Sequence, residues 1–259
     1  MTKIAPYGSW KSPITTDQII AGTISLDQVQ LDGENIYWLE GRPKEKGRYV
    51  IVRRNEQGST TDVLPAPFNA RTLVHEYGGG AYAVQKGVIY FSNFDDQRLY
   101  RLAPDESPQA LTPESDLKLR YADFSLSDSG ACYCVREDHR GDGEAVNTIV
   151  RVDPDAENEG TVLTSGADFY SDPRLSPDGK QLVWMEWDHP NMPWDGCRLM
   201  LAQITESGKL ANVTLIAGSE DESIFQPEWS PEGVLYFVSD RSGWWNLYRY
   251  RKAEVECII

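Results

Sequence analysis

Short apolar runs recur along the chain, each following a polar turn that ends in glycine. They are Ile36–Leu39, Val88–Phe91, Ala131–Val135, Leu182–Met185 and Val234–Val238. None alternates apolar with polar residues, as a strand with one wet face would. They read instead as strands buried on both faces. Further strands are predicted at Tyr49–Val52, Arg98–Leu102, Thr148–Val152, Arg198–Ala202 and Asn246–Tyr250, and outer strands at Thr161–Thr164, Thr214–Ala217 and Val255–Ile259. No long stretch carries a helical period, and only Thr16–Gly22 suggests a short helix.

The turns form a repeat. Ser171-Asp-Pro-Arg-Leu-Ser-Pro-Asp-Gly179 matches Phe225-Gln-Pro-Glu-Trp-Ser-Pro-Glu-Gly233, and Ala122-Asp-Phe-Ser-Leu-Ser-Asp-Ser-Gly130 is a third copy. Weaker copies end at Gly33 and Gly87, so the five glycines are spaced by 54, 43, 49 and 54 residues. Proline pre-sets φ at the first turn position, the carboxylate caps locally, and glycine accepts a left-handed backbone. A period near 50 residues is that of propeller blades. The predicted fold is all-β, a β-propeller of four-stranded blades with five recognisable blades, against a β-sandwich as the competitor. Residues 1–27 read as an N-terminal extension and 28–259 as the propeller, with blades near 28–65, 76–113, 121–166, 170–220 and 223–259.

Charge narrows the function. The 259 residues carry 25 Lys and Arg against 40 Asp and Glu, a formal net charge of −15. Such a chain repels phosphate, which argues against nucleic acid as a partner. No apolar window is long enough for a membrane helix, and the first ten residues have no signal-peptide core. Cys132, Cys134, Cys197 and Cys257 show no Cys-x-x-Cys pairing or zinc spacing. They are expected as reduced thiols in a cytoplasmic protein, with no metal and no cofactor.

Candidate chemistry sits in a few segments. Val74-His75-Glu76-Tyr77-Gly78-Gly79-Gly80 is the most unusual. His75 and Glu76 either line the propeller mouth, touching substrate or a second domain, or hydrogen-bond within the fold. The glycines also fit a loose dinucleotide pattern, but a strand follows where that motif needs a helix. Trp184, Glu186, Trp187, Asp188, His189, Trp194 and Asp195 cluster in blade four, and aromatics beside carboxylates suit a sugar or a peptide amino terminus; ordered packing is the competing reading. Asp123, Asp172 and Gln226 share one offset from their turn glycines. If they face the axis, the channel is polar, partly anionic, and steers cationic groups. Asp153–Gly160 departs from a calcium loop because Asn158 stands where glycine is required. Asp240-Arg241 and Asp95-Asp-Gln-Arg98 read as turns with a local carboxylate–guanidinium pair. The available bases are His75, His139 and His189, and no Gly-x-Ser occurs, so no nucleophile elbow is present.

The blade consensus resembles TolB-like propeller repeats. The segments Ala5–Pro13, Tyr37–Pro43, Val74–Tyr82, Phe91–Tyr100 and Trp187–Asp195 together resemble the prolyl oligopeptidase family of serine peptidases, in its acylaminoacyl-peptidase and dipeptidyl-aminopeptidase branch. The resemblance extends to about Tyr250. It implies an N-terminal propeller, usually of seven blades, that gates and size-selects peptides for a C-terminal α/β-hydrolase domain holding the Ser, Asp and His triad. Here the chain stops after five blades, so the resemblance implies a truncated form, inactive alone, whose partners are peptides and that hydrolase domain. Its five blades are then either a closed ring or five of an original seven, and an open propeller is expected to self-associate. The alternatives are a stand-alone interaction scaffold and a five-bladed glycosidase with paired carboxylates.

Overall fold

The computed structural model describes residues 4–20, 22–155 and 157–259. Five antiparallel four-stranded sheets follow one another as up-and-down meanders. The first holds β1 (Ser25–Asp32), β2 (Asn35–Arg42), β3 (Arg48–Arg54) and β4 (Thr60–Asp62). The second holds β5 (Tyr82–Gln85), β6 (Val88–Ser92), β7 (Leu99–Leu102) and β8 (Gln109–Ala110). The third holds β9 (Leu119–Leu126), β10 (Cys132–Asp138), β11 (Val146–Val152) and β12 (Thr161–Ser165). The fourth holds β13 (Phe169–Leu175), β14 (Gln181–Trp187), β15 (Arg198–Ile204) and β16 (Leu210–Gly218). The fifth holds β17 (Ile224–Trp229), β18 (Leu235–Ser239), β19 (Asn246–Arg251) and β20 (Glu254–Cys257). This is the four-stranded propeller blade repeated five times. The outer strands β4 and β8 carry only Thr-Thr-Asp and Gln-Ala, too short and polar to leave a periodic signal. Among the described residues a single α-helix, α1 (Thr16–Ile20), opens on a reciprocal cap between Thr15 and Gln18. No described helix is long and apolar enough to cross a membrane.

The repeat glycines do the work their spacing implied. Gly33, Gly87, Gly130, Gly179 and Gly233 all have φ between 58° and 82°, where a Cβ is disfavoured. In the three strongest copies the glycine N–H closes the turn on the serine carbonyl three residues back, as from Gly179 to Ser176 at 2.8 Å.

Packing occurs between blades. Four apolar clusters fill the spaces between blades one and two, two and three, three and four, and four and five. Among the described residues no such cluster joins blade five to blade one. The expectation that every central run is buried on both faces holds for β10 and largely for β14, but not for β2 or β18. There, buried residues alternate with half-buried ones because only one side meets a neighbour. The outer face of blade one consequently shows Leu26, Val29 and Leu31 to solvent, and Phe225 of blade five is also exposed. Surfaces of this kind favour association. The expected result in sedimentation is a weight-average mass that rises with protein concentration, and that falls back toward one chain when Val29 and Leu31 are both replaced by lysine. A constant single-chain mass at all concentrations would show that these faces do not associate.

Two local ion pairs expected from the sequence form differently. Arg241 pairs with Glu222 at 2.8 Å, while Asp240 accepts the Ser223 N–H. Arg98 reaches Glu157 at 2.7 Å, and Asp96 instead holds Tyr100 Oη and the Arg98 N–H. A guanidinium on a long stem finds the carboxylate that tertiary packing brings near, and the short aspartate caps its own turn.

Candidate functional site

The innermost strands of all five blades border one central cavity of about 840 Å³. Asp123, Asp172 and Gln226 all line it, as does Gln28. Each of these four residues has φ of 49° to 58° at a break in strand register, a β-bulge that turns its side chain along the inner rim. Gln28 spans to blade two, accepting from the Ala81 N–H at 2.8 Å and donating to Gly79 O at 3.2 Å. Asp123 accepts the Gly80 N–H from blade two and the Asp172 N–H from blade four, at 2.5 and 3.2 Å. Arg174 bridges Asp172 at 2.8 Å and Glu228 of blade five at 3.0 Å. The rim is thus polar and partly anionic, and these groups stitch adjacent blades together.

Burial pushes the Asp172 carboxyl up to about 6; the Asp123 charge adds to this and Arg174 opposes it. Between about pH 4, the ordinary aspartate value, and pH 6, the folded chain keeps a proton that the unfolded chain has lost. Through this group, stability therefore falls as pH rises across that window. Asp172→Asn is expected to flatten that part of the stability–pH curve, and the Asp172 side-chain carbon should titrate near 6 by NMR. A midpoint at or below 4 would refute the assignment.

A second cavity, of about 630 Å³, opens among blades two, three and four. His75 and Glu76 reach it from the loop before β5, both with positive φ, at 56° and 64°. That conformation lets the His75 N–H donate to Glu137 Oε1 at 2.6 Å while its ring Nε2 meets Tyr170 O at 3.1 Å. Glu76 pairs with Arg120 at 2.7 Å, and that hydrogen bond holds its carboxyl below the usual range. Trp187 stacks on Phe169, with ring centroids 5.4 Å apart. His189 packs on Phe169 at 4.9 Å and binds Asp168 at 3.0 Å. The backbone and ring of His189 together keep Asp168 below its ordinary range.

The blade-four cluster divides. Trp184 is fully buried between blades three and four, with its Nε1–H on Glu186. Asp188 is bound by Arg198 at 2.7 Å. Trp194 is exposed and Asp195 caps its own loop through the Met192 N–H, so neither lines the second cavity. Phe169, Glu137 and Asn147 also line it but escaped the sequence reading, and His139, read from the sequence only as an available base, lines it too. Glu137 and Phe169 lie in strands 62 and 94 residues from His75, which they contact. On the rim of the central cavity the sequence reading missed Gln28, whose offset from Gly33 is five rather than seven because its bulge lies nearer the turn. Among the described residues no group of three or more His, Cys, Asp or Glu side chains is arranged to hold a metal ion.

Fold and rim geometry define a β-propeller module of the TolB-like kind. TolB from Agrobacterium tumefaciens is 16% identical over 91% of this chain with a TM-score of 0.63, a likeness of fold. Puromycin hydrolase is 37% identical, with a TM-score of 0.88, over 99% of this chain and 42% of its own. A puromycin-hydrolyzing peptidase of Mycobacterium tuberculosis is 36% identical, with a TM-score of 0.85, over 98% of this chain and 42% of its own. The chain belongs, by homology to the propeller portion of puromycin hydrolase, to the prolyl oligopeptidase family of serine peptidases. It spans less than half the length of these relatives. No family model and no curated sequence matches it.

Proposed function

We propose that the chain is the propeller module that gates and size-selects peptides for an α/β-hydrolase domain of the acylaminoacyl-peptidase and dipeptidyl-aminopeptidase kind, and that it is inactive alone. One observation carries this reading: identity of 37% runs through 99% of the chain while spanning 42% of puromycin hydrolase. The polar central cavity, ringed by all five innermost strands, supports a passage that admits solvated peptides. The lack of any Gly-x-Ser supports inactivity of the chain by itself. A cytoplasmic location belongs to the same reading and is supported by four unpaired cysteines, three of them buried.

Alone, the chain should resist labelling by a fluorophosphonate probe and leave puromycin and short peptides intact. Labelling of any serine would overturn the assignment. In a polypeptide that joins the module to its hydrolase domain, Arg174→Ala opens the rim. It should raise kcat/KM for long peptides relative to tripeptides. An unchanged length profile would count against gating.

A further inference from the structure

The half-covered faces of blades one and five match the two sides of an interface that the chain already makes. Where blade four meets blade three, Trp184 of β14 packs with Tyr133 and Val135 of β10 and Ile149 of β11. Leu182 lies on the same side, and the Trp184 Nε1–H donates to Glu186 at 2.9 Å. Blade one repeats the blade-four side. Ile36, Trp38 and Glu40 stand three, five and seven residues after Gly33, as Leu182, Trp184 and Glu186 stand after Gly179. The Trp38 Nε1–H makes the same bond, to Glu40 at 3.1 Å. Tyr37 and Leu39 face blade two, so the residues between them point the other way.

Blade five repeats the blade-three side. Tyr236 and Val238 stand three and five residues after Gly233, as Tyr133 and Val135 stand after Gly130. In β19, Leu247 pairs with Val238 and Arg249 with Tyr236, just as Ile149 and Arg151 of β11 pair with Val135 and Tyr133. Leu235 and Phe237 face blade four, which leaves Tyr236 and Val238 on the outer side. The difference lies in burial. Tyr133, Val135, Ile149 and Trp184 are at most 5% exposed, whereas Ile36 is 36% exposed and Trp38, Tyr236, Val238 and Leu247 are half-buried. Charge does not oppose covering them. Glu40 is paired with Arg42 at 2.7 Å and Arg249 with Glu256 at 2.7 Å, so neither face would bury a lone charge. The existing interface carries the same arrangement, with Glu186 on Arg198 and Arg151 on Asp153.

We propose that these two faces are partners between copies of the chain. Blade one of one copy seats on blade five of a second, and Trp38 meets Tyr236, Val238 and Leu247 as Trp184 meets Tyr133, Val135 and Ile149. Pairing like faces reproduces no interface of the chain, and among the described residues no apolar cluster joins the two faces within one copy. The contact is therefore heterologous, head to tail. It rests on the faces alone and not on peptide gating. Sedimentation of the full chain tests it, at high salt to screen the net charge of −15. The samples are the wild type, Trp38→Arg, Val238→Arg and an equal mixture of the two variants. The wild type should self-associate. Either substitution alone should weaken association about thirtyfold or more, the loss of an interface anchor, because every contact needs both faces. The mixture should associate again but stop at two chains, since one variant keeps blade five intact and the other keeps blade one. Where a variant does not melt cooperatively, the chain with Val29→Lys and Leu31→Lys replaces Trp38→Arg, and Tyr236→Lys replaces Val238→Arg. Undiminished association of Trp38→Arg would mean that blade five pairs with itself, and of Val238→Arg that blade one does. Either result, a wild type that stays a single chain, or a mixture that does so, overturns the proposal. None bears on the peptide-length profile, so the gating function stands or falls separately.

Discussion

Trp184→Ala should destabilise the chain by about 3–5 kcal/mol, the usual cost of emptying a buried tryptophan site. Trp184 has no solvent exposure and packs with Tyr133, Val135 and Tyr170 where blade four meets blade three. Its removal leaves a cavity in a strand pair already fixed by ladder hydrogen bonds, so collapse is limited. It also takes the Nε1–H donor from Glu186, which keeps only the Arg198 contact at 3.3 Å. Chemical denaturation followed by circular dichroism measures the loss. Because each cluster involves only adjacent blades, the damage should be local, as in repeat proteins. Amide exchange should accelerate most in β10, β11 and β14 and least in β2 and β3. Uniform acceleration through all five blades would show that they unfold as one unit instead.

Asp123→Ala is the second large effect, at about 3 kcal/mol. Two N–H donors, from Gly80 and Asp172, lose their acceptor in a site 8% exposed, and each unmet donor costs about 1–3 kcal/mol. Alanine at φ 58° adds backbone strain of about 1 kcal/mol. Asp123→Asn keeps an acceptor and tolerates the left-handed backbone, so its cost should be about 1 kcal/mol or less. Either variant removes the charge beside Asp172, so the Asp172 midpoint should drop below about 6. A small loss in Asp123→Ala, equal to that of Asp123→Asn, would mean that the rim hydrogen bonds do not hold adjacent blades.

Much of the fold was legible because its signals are local. A Ser-Pro-Asp-Gly turn specifies its own geometry within four residues, and the positive φ at Gly33, Gly87, Gly130, Gly179 and Gly233 follows from it. The shared offset of Asp123, Asp172 and Gln226 located three rim residues, since a repeat copies position as well as strand. In blade two the same offset falls on Gly80, which supplies only backbone to the rim, as donor to Asp123 and acceptor for the Asp123 N–H. The second cavity was half legible. His75, Glu76 and Trp187 stood out by composition, but Phe169, Glu137 and Asn147 look like ordinary strand residues. They become a site only where β10, β11, β13 and the His75 loop converge.

Turn chemistry, strand spacing and charge are properties of short segments. The sequence by itself therefore determined the blade period, the five-fold repeat and the acidic charge balance. Contacts between segments far apart depend on how the blades stack. Only the tertiary structure decided that Arg98 and Arg241 reach past the nearest aspartates, and that the outer faces of blades one and five stay half uncovered. It likewise decided that Asn147 Oδ1 and His75 Nδ1 are buried without a hydrogen-bond partner among the described residues. Solvation and pairing energies depend on what surrounds a group in three dimensions, and no spacing along the chain encodes that environment.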